Sequence, residues 1–148
     1  MELDVSFGSR TQRIIALVDT GAVNCIFDRA VGDSIEIDYS PGRGKDRPLS
    51  ILGREHQARE AIVTLEIPRY PGTTWETLAC FLHEELPLSF IGVLGQEGFL
   101  DRWVTTFNYY DGYFMLEERD SFVARFDADP ADALRPWHDD EWERPTEN

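Results

Sequence analysis

Cysteine is scarce in this chain: Cys25 and Cys80 are its only two, and they stand far apart. Without any Cys-x-x-Cys spacing, a disulfide framework and a structural zinc site are both excluded, and the two thiols are expected as small core hydrophobes. No apolar run approaches the about 18 residues that a membrane span requires. The start, Met1-Glu2-Leu3-Asp4, has neither the basic region nor the apolar region of a signal peptide. The expected location is therefore the cytoplasm, with no membrane partner. Basic residues are few: 14 Lys and Arg against 28 Asp and Glu, a formal charge of −14. A field of that sign repels phosphate backbones and argues against nucleic-acid partners.

Several chemistries are excluded by what is missing around single residues. There is no Gly-x-Ser-x-Gly, and Cys25 has no paired histidine, so serine and cysteine hydrolysis lack support. His83-Glu84-Glu85 shares the opening of a zinc-protease motif, but Pro87 occupies the position of its second histidine, and no metal site is expected. His56 and His138 are read as surface residues. Gly92, Gly95 and Gly98 lack the spacing and the βαβ context of a dinucleotide fingerprint, and Gly42-Arg43-Gly44-Lys45 lacks the rest of a phosphate loop.

What the chain does hold is strand signal. With 148 residues and 42% apolar content it is expected to fold as residues 1–120, followed by an acidic, disordered tail over 121–148. From Asp127 to Asn148 eight acids face two arginines, with three prolines, although Trp137 and Trp142 are unusual in a solvated tail. Strands are predicted over Glu2–Phe7, Ile14–Val18, Asn24–Phe27 and Ser34–Tyr39. Pro48–Leu52 and His56–Ile67 form a long hairpin around Gly53, and Glu76–Leu82 is a further strand. Val104–Asn108 and Tyr113–Glu117 pair around Asp111-Gly112. Phe99, Leu100 and Trp103 put one apolar stripe on a short helix over 96–103. Many short strands with one late helix predict an all-β barrel or sandwich. Asp28 and Asp33 are read as capping or solvating a turn, with a subsidiary substrate contact by Asp28 as the other reading.

One segment carries chemistry. The apolar run Ile14-Ile15-Ala16-Leu17-Val18 stops at Asp19-Thr20-Gly21-Ala22. A strand holds Asp19 rigidly, and Gly21 allows the chain to turn so that backbone N–H groups approach the carboxylate. Two such carboxylates held close share one proton, and the pair can then act as base and acid on a water. The chain has no second Asp-Thr-Gly or Asp-Ser-Gly. It thus holds half of such a site, and a two-fold homodimer would supply the other half.

Ile14–Ala22 resembles the apolar strand and Asp-Thr-Gly-Ala signature of retropepsins, the retroviral and retroviral-like aspartic peptidases. Val93-Leu94-Gly95-Gln96-Glu97-Gly98-Phe99-Leu100 resembles the family's apolar-apolar-Gly followed by a short helix. The hairpin around Gly53 lies between them, where the family places its flap. The likeness spans roughly residues 3 to 118, and bacterial stand-alone members share the same pattern of a Gly-x-x-Gly-Phe-x-Asp helix and a closing hairpin.

The resemblance implies a retropepsin-like acid-protease barrel that hydrolyses a polypeptide substrate as a homodimer, with no metal or organic cofactor. It implies that Asp19 is the catalytic aspartate and that Thr20 braces the two loops across the dimer axis. Gly21 would donate its N–H to the carboxylate pair, with Ala22 supporting the loop. Leu52, Gly53 and Arg54 would cover the substrate, while Val93, Leu94 and Gly95 back the loop. The chain departs from the family at Val23, where Ser, Thr or Asp is frequent, at Gln96, where Arg is frequent, and in a flap with one glycine. Those departures favour the alternative, a catalytically silent peptide-binding scaffold. A third reading makes the tail with Trp137 and Trp142 a docking segment.

Overall fold

The computed structural model of the chain describes residues 1–70, 72–86 and 89–126. They form two compact units, one over 1–102 and one beginning at Trp103.

The first unit is a mostly antiparallel sheet. Its strands are β1 (Glu2–Phe7), β2 (Arg10–Ile15), β3 (Leu17–Val18), β4 (Ile26–Phe27), β5 (Asp46–Ile51), β6 (Arg54–Glu66), β7 (Thr74–Leu82) and β8 (Gly92–Leu94). Their spatial order is β2-β1-β6-β7-β4-β8-β3, with β5 on the outer part of β6. The two ends of that path, β2 and β3, are separated in sequence by Ala16 alone, so the sheet curls into a nearly closed barrel. Ala16 is 1% exposed, and its N–H donates to Met1 O at 2.8 Å.

Period-2 alternation builds the core. Leu3 and Val5 of β1 and Val63 and Leu65 of β6 point inward with Phe27, Phe81, Leu94 and Phe99, all fully or almost fully buried. Each contributes about 1.5–3 kcal/mol of apolar burial. The Phe27 and Phe81 rings lie 5.3 Å apart, and Trp75 stacks 5.9 Å from Phe99. The predicted run Ile14–Val18 is not one buried strand. Ile14 is buried, Ile15 is 65% exposed, and the chain passes from β2 to β3 at Ala16.

Two further expectations about secondary structure are corrected. Ser34–Tyr39 does not pair as a strand: Asp28 caps a helix, α1 (Arg29–Ser34), and the chain leaves it through Glu36 at φ 65°. Ile37 N then donates to Gly32 O and Glu36 N to Asp33 O, closing the carbonyl end of the helix. Ile35 and Ile37 are nonetheless buried. The alternation therefore recorded which side chains go inward, and a helix end satisfies it as well as a strand does. The helix expected over 96–103 is a single 3-10 turn, Leu100–Arg102, because Trp103 opens a strand.

In the second unit β9 (Trp103–Asn108) pairs antiparallel with β10 (Tyr113–Glu118), turning at Gly112 (φ 70°). A helix, α2 (Arg119–Phe126), follows. Of the expected tail, residues 121–126 belong to α2. Residues 127–148, including Trp137, Trp142 and His138, lie outside the described residues. Among the described residues no helix is long and apolar enough to cross a membrane.

Candidate active site

β8 lies between β3 and β4, the strands that enter and leave the Asp19 loop, parallel to β3 and antiparallel to β4. This insertion seats the loop. Leu17 pairs with Val93 and Val18 with Leu94, so Asp19 emerges beside Gly95. Asp19 N donates to Leu94 O at 3.0 Å, and Ala22 N returns to Asp19 O at 3.2 Å. Gly21 N donates to Asp19 Oδ1 at 2.8 Å, which fixes the orientation of the carboxylate. Asp19 is half-buried, whereas Thr20 and Gly21 are exposed.

The far side of the loop is bound to the segment after β8. Gln96 N donates to Ala22 O at 2.8 Å and Glu97 N to Val23 O at 2.7 Å. Gln96 Nε2 reaches Thr20 O at 2.7 Å, and Asn24 Nδ2 reaches Glu97 Oε2 at 3.1 Å. Gly95 sits where the two segments cross. A Cβ there would fall 2.7 Å from Ala22 O and closer still to Asn24 O, so the backbones can meet only at glycine. Asp19, Thr20, Gly21 and Ala22 are thus brought together with Val93, Leu94 and Gly95, which are all buried.

Asp28 is a structural carboxylate. It is 6% exposed, and its Oδ1 accepts from Ala30 N at 2.7 Å while its Oδ2 accepts from Leu86 N at 2.6 Å. Both oxygens are engaged, which leaves the capping role and removes the substrate-contact reading.

The hairpin expected around Gly53 is present. Leu52 (φ 50°) and Gly53 (φ 76°) form its two-residue turn, with Ile51 opposite Arg54. Leu52 is 75% exposed at the tip. Leu49, Ala58, Cys80, Leu82, Leu86 and Val93 form an apolar cluster, and both Ile51 and Ala22 pack against it. That shared cluster couples the hairpin to the Asp19 loop.

Sequence reasoning missed the hairpin's anchor. Arg59 of β6 is 2% exposed, and its Nε donates to Asp46 Oδ1 at 2.6 Å. It also donates to Asp38 O and, at 3.2 Å, to Ser40 O, tying the 38–46 loop to β6. The Arg59 guanidinium holds the Asp46 carboxyl below its usual range, against an opposing effect of burial and with further help from His83 Nε2 at 3.1 Å. The available signal was parity: Arg59 falls on the same alternating face as Val63 and Leu65. His56, expected on the surface, is 8% exposed, and its Nδ1 lies 2.6 Å from Glu84 Oε1.

Cys25 and Cys80 are free and buried, as expected, and burial pushes the Cys25 thiol up to about 11. Among the described residues no cluster of three potential ligands can hold a metal ion. A groove of about 460 Å³ is lined by Ile14, Ile15, Phe90 and Ile91 together with Glu2, Arg13 and Ser89. It lies at the starts of β3 and β8, the ends opposite Asp19, and contains none of the expected site residues.

No family model matches the chain, and a search of curated proteins finds no relative.

Proposed function

We propose that the chain is an aspartic endopeptidase that works as a homodimer, with Asp19 of each copy forming the catalytic pair. The observation that carries this reading is the seating of Asp19. It stands at the end of β3, its backbone bound to Leu94 O and its carboxylate accepting Gly21 N–H, in a loop clamped at Gly95. The loop is the segment whose sequence resembles the Asp-Thr-Gly-Ala signature of retropepsins.

Two carboxylates meeting on a two-fold axis cannot both ionise at ordinary pH and share one proton. The ionised member takes a proton from a water as the water's oxygen bonds to the peptide carbonyl carbon. The protonated member gives its proton to the leaving nitrogen as the C–N bond breaks. Each Gly21 N–H donates to the neighbouring Asp19 carboxylate, and in the proposed dimer Thr20, exposed beside Asp19, braces the opposing loop. Leu52, Gly53 and Arg54 at the hairpin tip cover the bound peptide. Gln96 takes the loop-binding position where the family frequently carries arginine.

The test is cleavage of a peptide library between pH 3 and pH 8 by the wild-type chain and by Asp19→Asn. Cleavage with an acidic optimum that the variant lacks supports the reading. Binding without cleavage in both proteins replaces it with a peptide-binding scaffold, in which the carboxylate has no chemical task.

A further inference from the structure

β2 keeps a free edge. Among the described residues it pairs only with β1 and stands at one end of the sheet order. The register fixes which of its backbone groups face outward. Met1 and Ala16 exchange both of their backbone hydrogen bonds, at 2.6 and 2.8 Å. Bonded positions alternate along an antiparallel pair, so Ile14, Gln12 and Arg10 also bond to β1. Thr11, Arg13 and Ile15 therefore turn their N–H and C=O groups to the open side. Of these, Arg13 O accepts the Gln12 side chain at 2.9 Å, a local exposed bond that an incoming N–H can replace.

The same edge borders an apolar groove. β3 pairs in parallel with β8, Leu17 with Val93 and Val18 with Leu94. Upstream of that pairing β2 and the 89–91 segment are not joined. The groove of about 460 Å³ is lined there by Ile14 and Ile15 from one and by Phe90 and Ile91 from the other. Ile15, Phe90 and Ile91 are exposed although apolar.

We infer that this edge takes an extended peptide as an added strand, with apolar side chains beside Ile14 and Ile15 and an acidic one beside Arg13. Main-chain bonds to Arg13 and Ile15 supply affinity, and the groove selects the side chains. Charge sets the acid. β2 carries Arg10 and Arg13 and no acidic residue. Arg10 pairs with Glu36 and Arg13 with Asp4, yet both arginine side chains stay more than half exposed. Glu2 also lines the groove, but it stands on β1 and pairs with Arg69 at 3.3 Å. An added strand runs about 4.8 Å from β2 and about twice as far from β1, so it meets the arginines first. The groove lies at the ends of β3 and β8 opposite Asp19, so docking here stands apart from the peptidase reading.

The test uses the full chain and two capped probes, acetyl-Thr-Glu-Val-Val-Glu-Thr-amide and the same peptide with lysine in place of glutamate. The probe reads alike in both directions, so either strand polarity sets a charge beside Arg13. Amide exchange and NMR titration follow binding in the wild type and in Asp19→Asn, where cleavage cannot consume the probe. The expected result is that the glutamate probe protects the Arg13 and Ile15 amides. It should bind about three-fold or more tighter than the lysine probe, against the chain's overall charge of −14. Ile15→Glu, at an exposed position, should weaken the glutamate probe about ten-fold or more. Phe90→Ala tests the other wall of the groove and keeps the inference falsifiable if Ile15→Glu does not fold. Equal binding of the two probes, or tighter binding of the lysine probe, overturns the inference. So does binding that leaves both amides unprotected or that neither variant weakens. Arg13 and Ile15 amides protected in the free chain at every dilution would mean that the chain itself fills the edge. Protection that grows with chain concentration alone would assign the edge to a second copy, and either result overturns the peptide. Docking at β2 without cleavage of any library peptide keeps this surface and removes only the peptidase reading.

Discussion

Gln96 Nε2 donates to Thr20 O at 2.7 Å, so the residue after Gly95 holds the exposed shoulder of the Asp19 loop. Thr20 and Gln96 are both exposed, and one neutral hydrogen bond at such a site contributes about 0.5–1.5 kcal/mol. On the peptidase reading, Gln96→Ala is expected to lower kcat about ten-fold, a loss of about 1.4 kcal/mol in the transition state. Urea unfolding should change by no more than the value of that one bond. A kcat equal to wild type would remove Gln96 from the loop's support.

Gly95→Ala is expected to cost about 1–3 kcal/mol, the usual range for overpacking. The added Cβ meets two backbone carbonyls, Ala22 O and Asn24 O, neither of which can rotate away. Chemical denaturation measures this directly, and the Asp19 loop should show the earliest loss of amide protection.

Asp28→Ala leaves Ala30 N and Leu86 N without their acceptor in a buried setting. Loss of a helix cap and of a charge-assisted bond together is expected to cost about 2–4 kcal/mol. Asp28→Asn keeps one carbonyl oxygen and should recover part of it. Thermal melts of the two variants give the order wild type, Asn, Ala.

Acid should weaken the hairpin through Asp46. The Arg59 guanidinium depresses the folded carboxyl below its ordinary value near about 3.9. The pairing therefore stabilises the fold fully above that unfolded value, and the contribution is lost as pH falls through the lower, folded one. Asp46→Asn is expected to be less stable than wild type at pH 5–7, with the difference closing as pH drops below about 3. A difference that persists unchanged at pH 2 would mean that Asp46 acts through packing alone.

Leu52 occupies a left-handed backbone position that asparagine and glycine favour. Leu52→Asn is expected to stabilise the hairpin by about 0.5–1 kcal/mol. It removes an apolar side chain that is 75% exposed at the tip, so on the peptidase reading KM for peptide should rise while the melting temperature increases. A stabler variant with unchanged KM would take Leu52 away from the substrate.

Much of the fold was legible because alternation and turn chemistry are local. Within the strand expected over His56–Ile67, Val63, Leu65 and Ile67 are buried at alternate positions, and Asp111-Gly112 and Gly53 mark the turns where they were expected. Ser34–Tyr39 and 96–103 went wrong for one shared reason. Inward-pointing spacing over six to eight residues can be met by a strand, a helix end or a 3-10 turn, and only the hydrogen bonds to Gly32 O or the pairing of Trp103 distinguish them.

The sequence by itself determined the Asp19 loop as a strand end followed by a glycine turn, the hairpin around Gly53 and the all-β class, since each follows from neighbouring residues. Tertiary structure alone decided that β8 runs between β3 and β4, that Gly95 must be glycine because two carbonyls close on it, and that Arg59 anchors the 38–46 loop. These depend on contacts between segments tens of residues apart in sequence. The chain's local preferences carry no record of which distant backbone will arrive beside them.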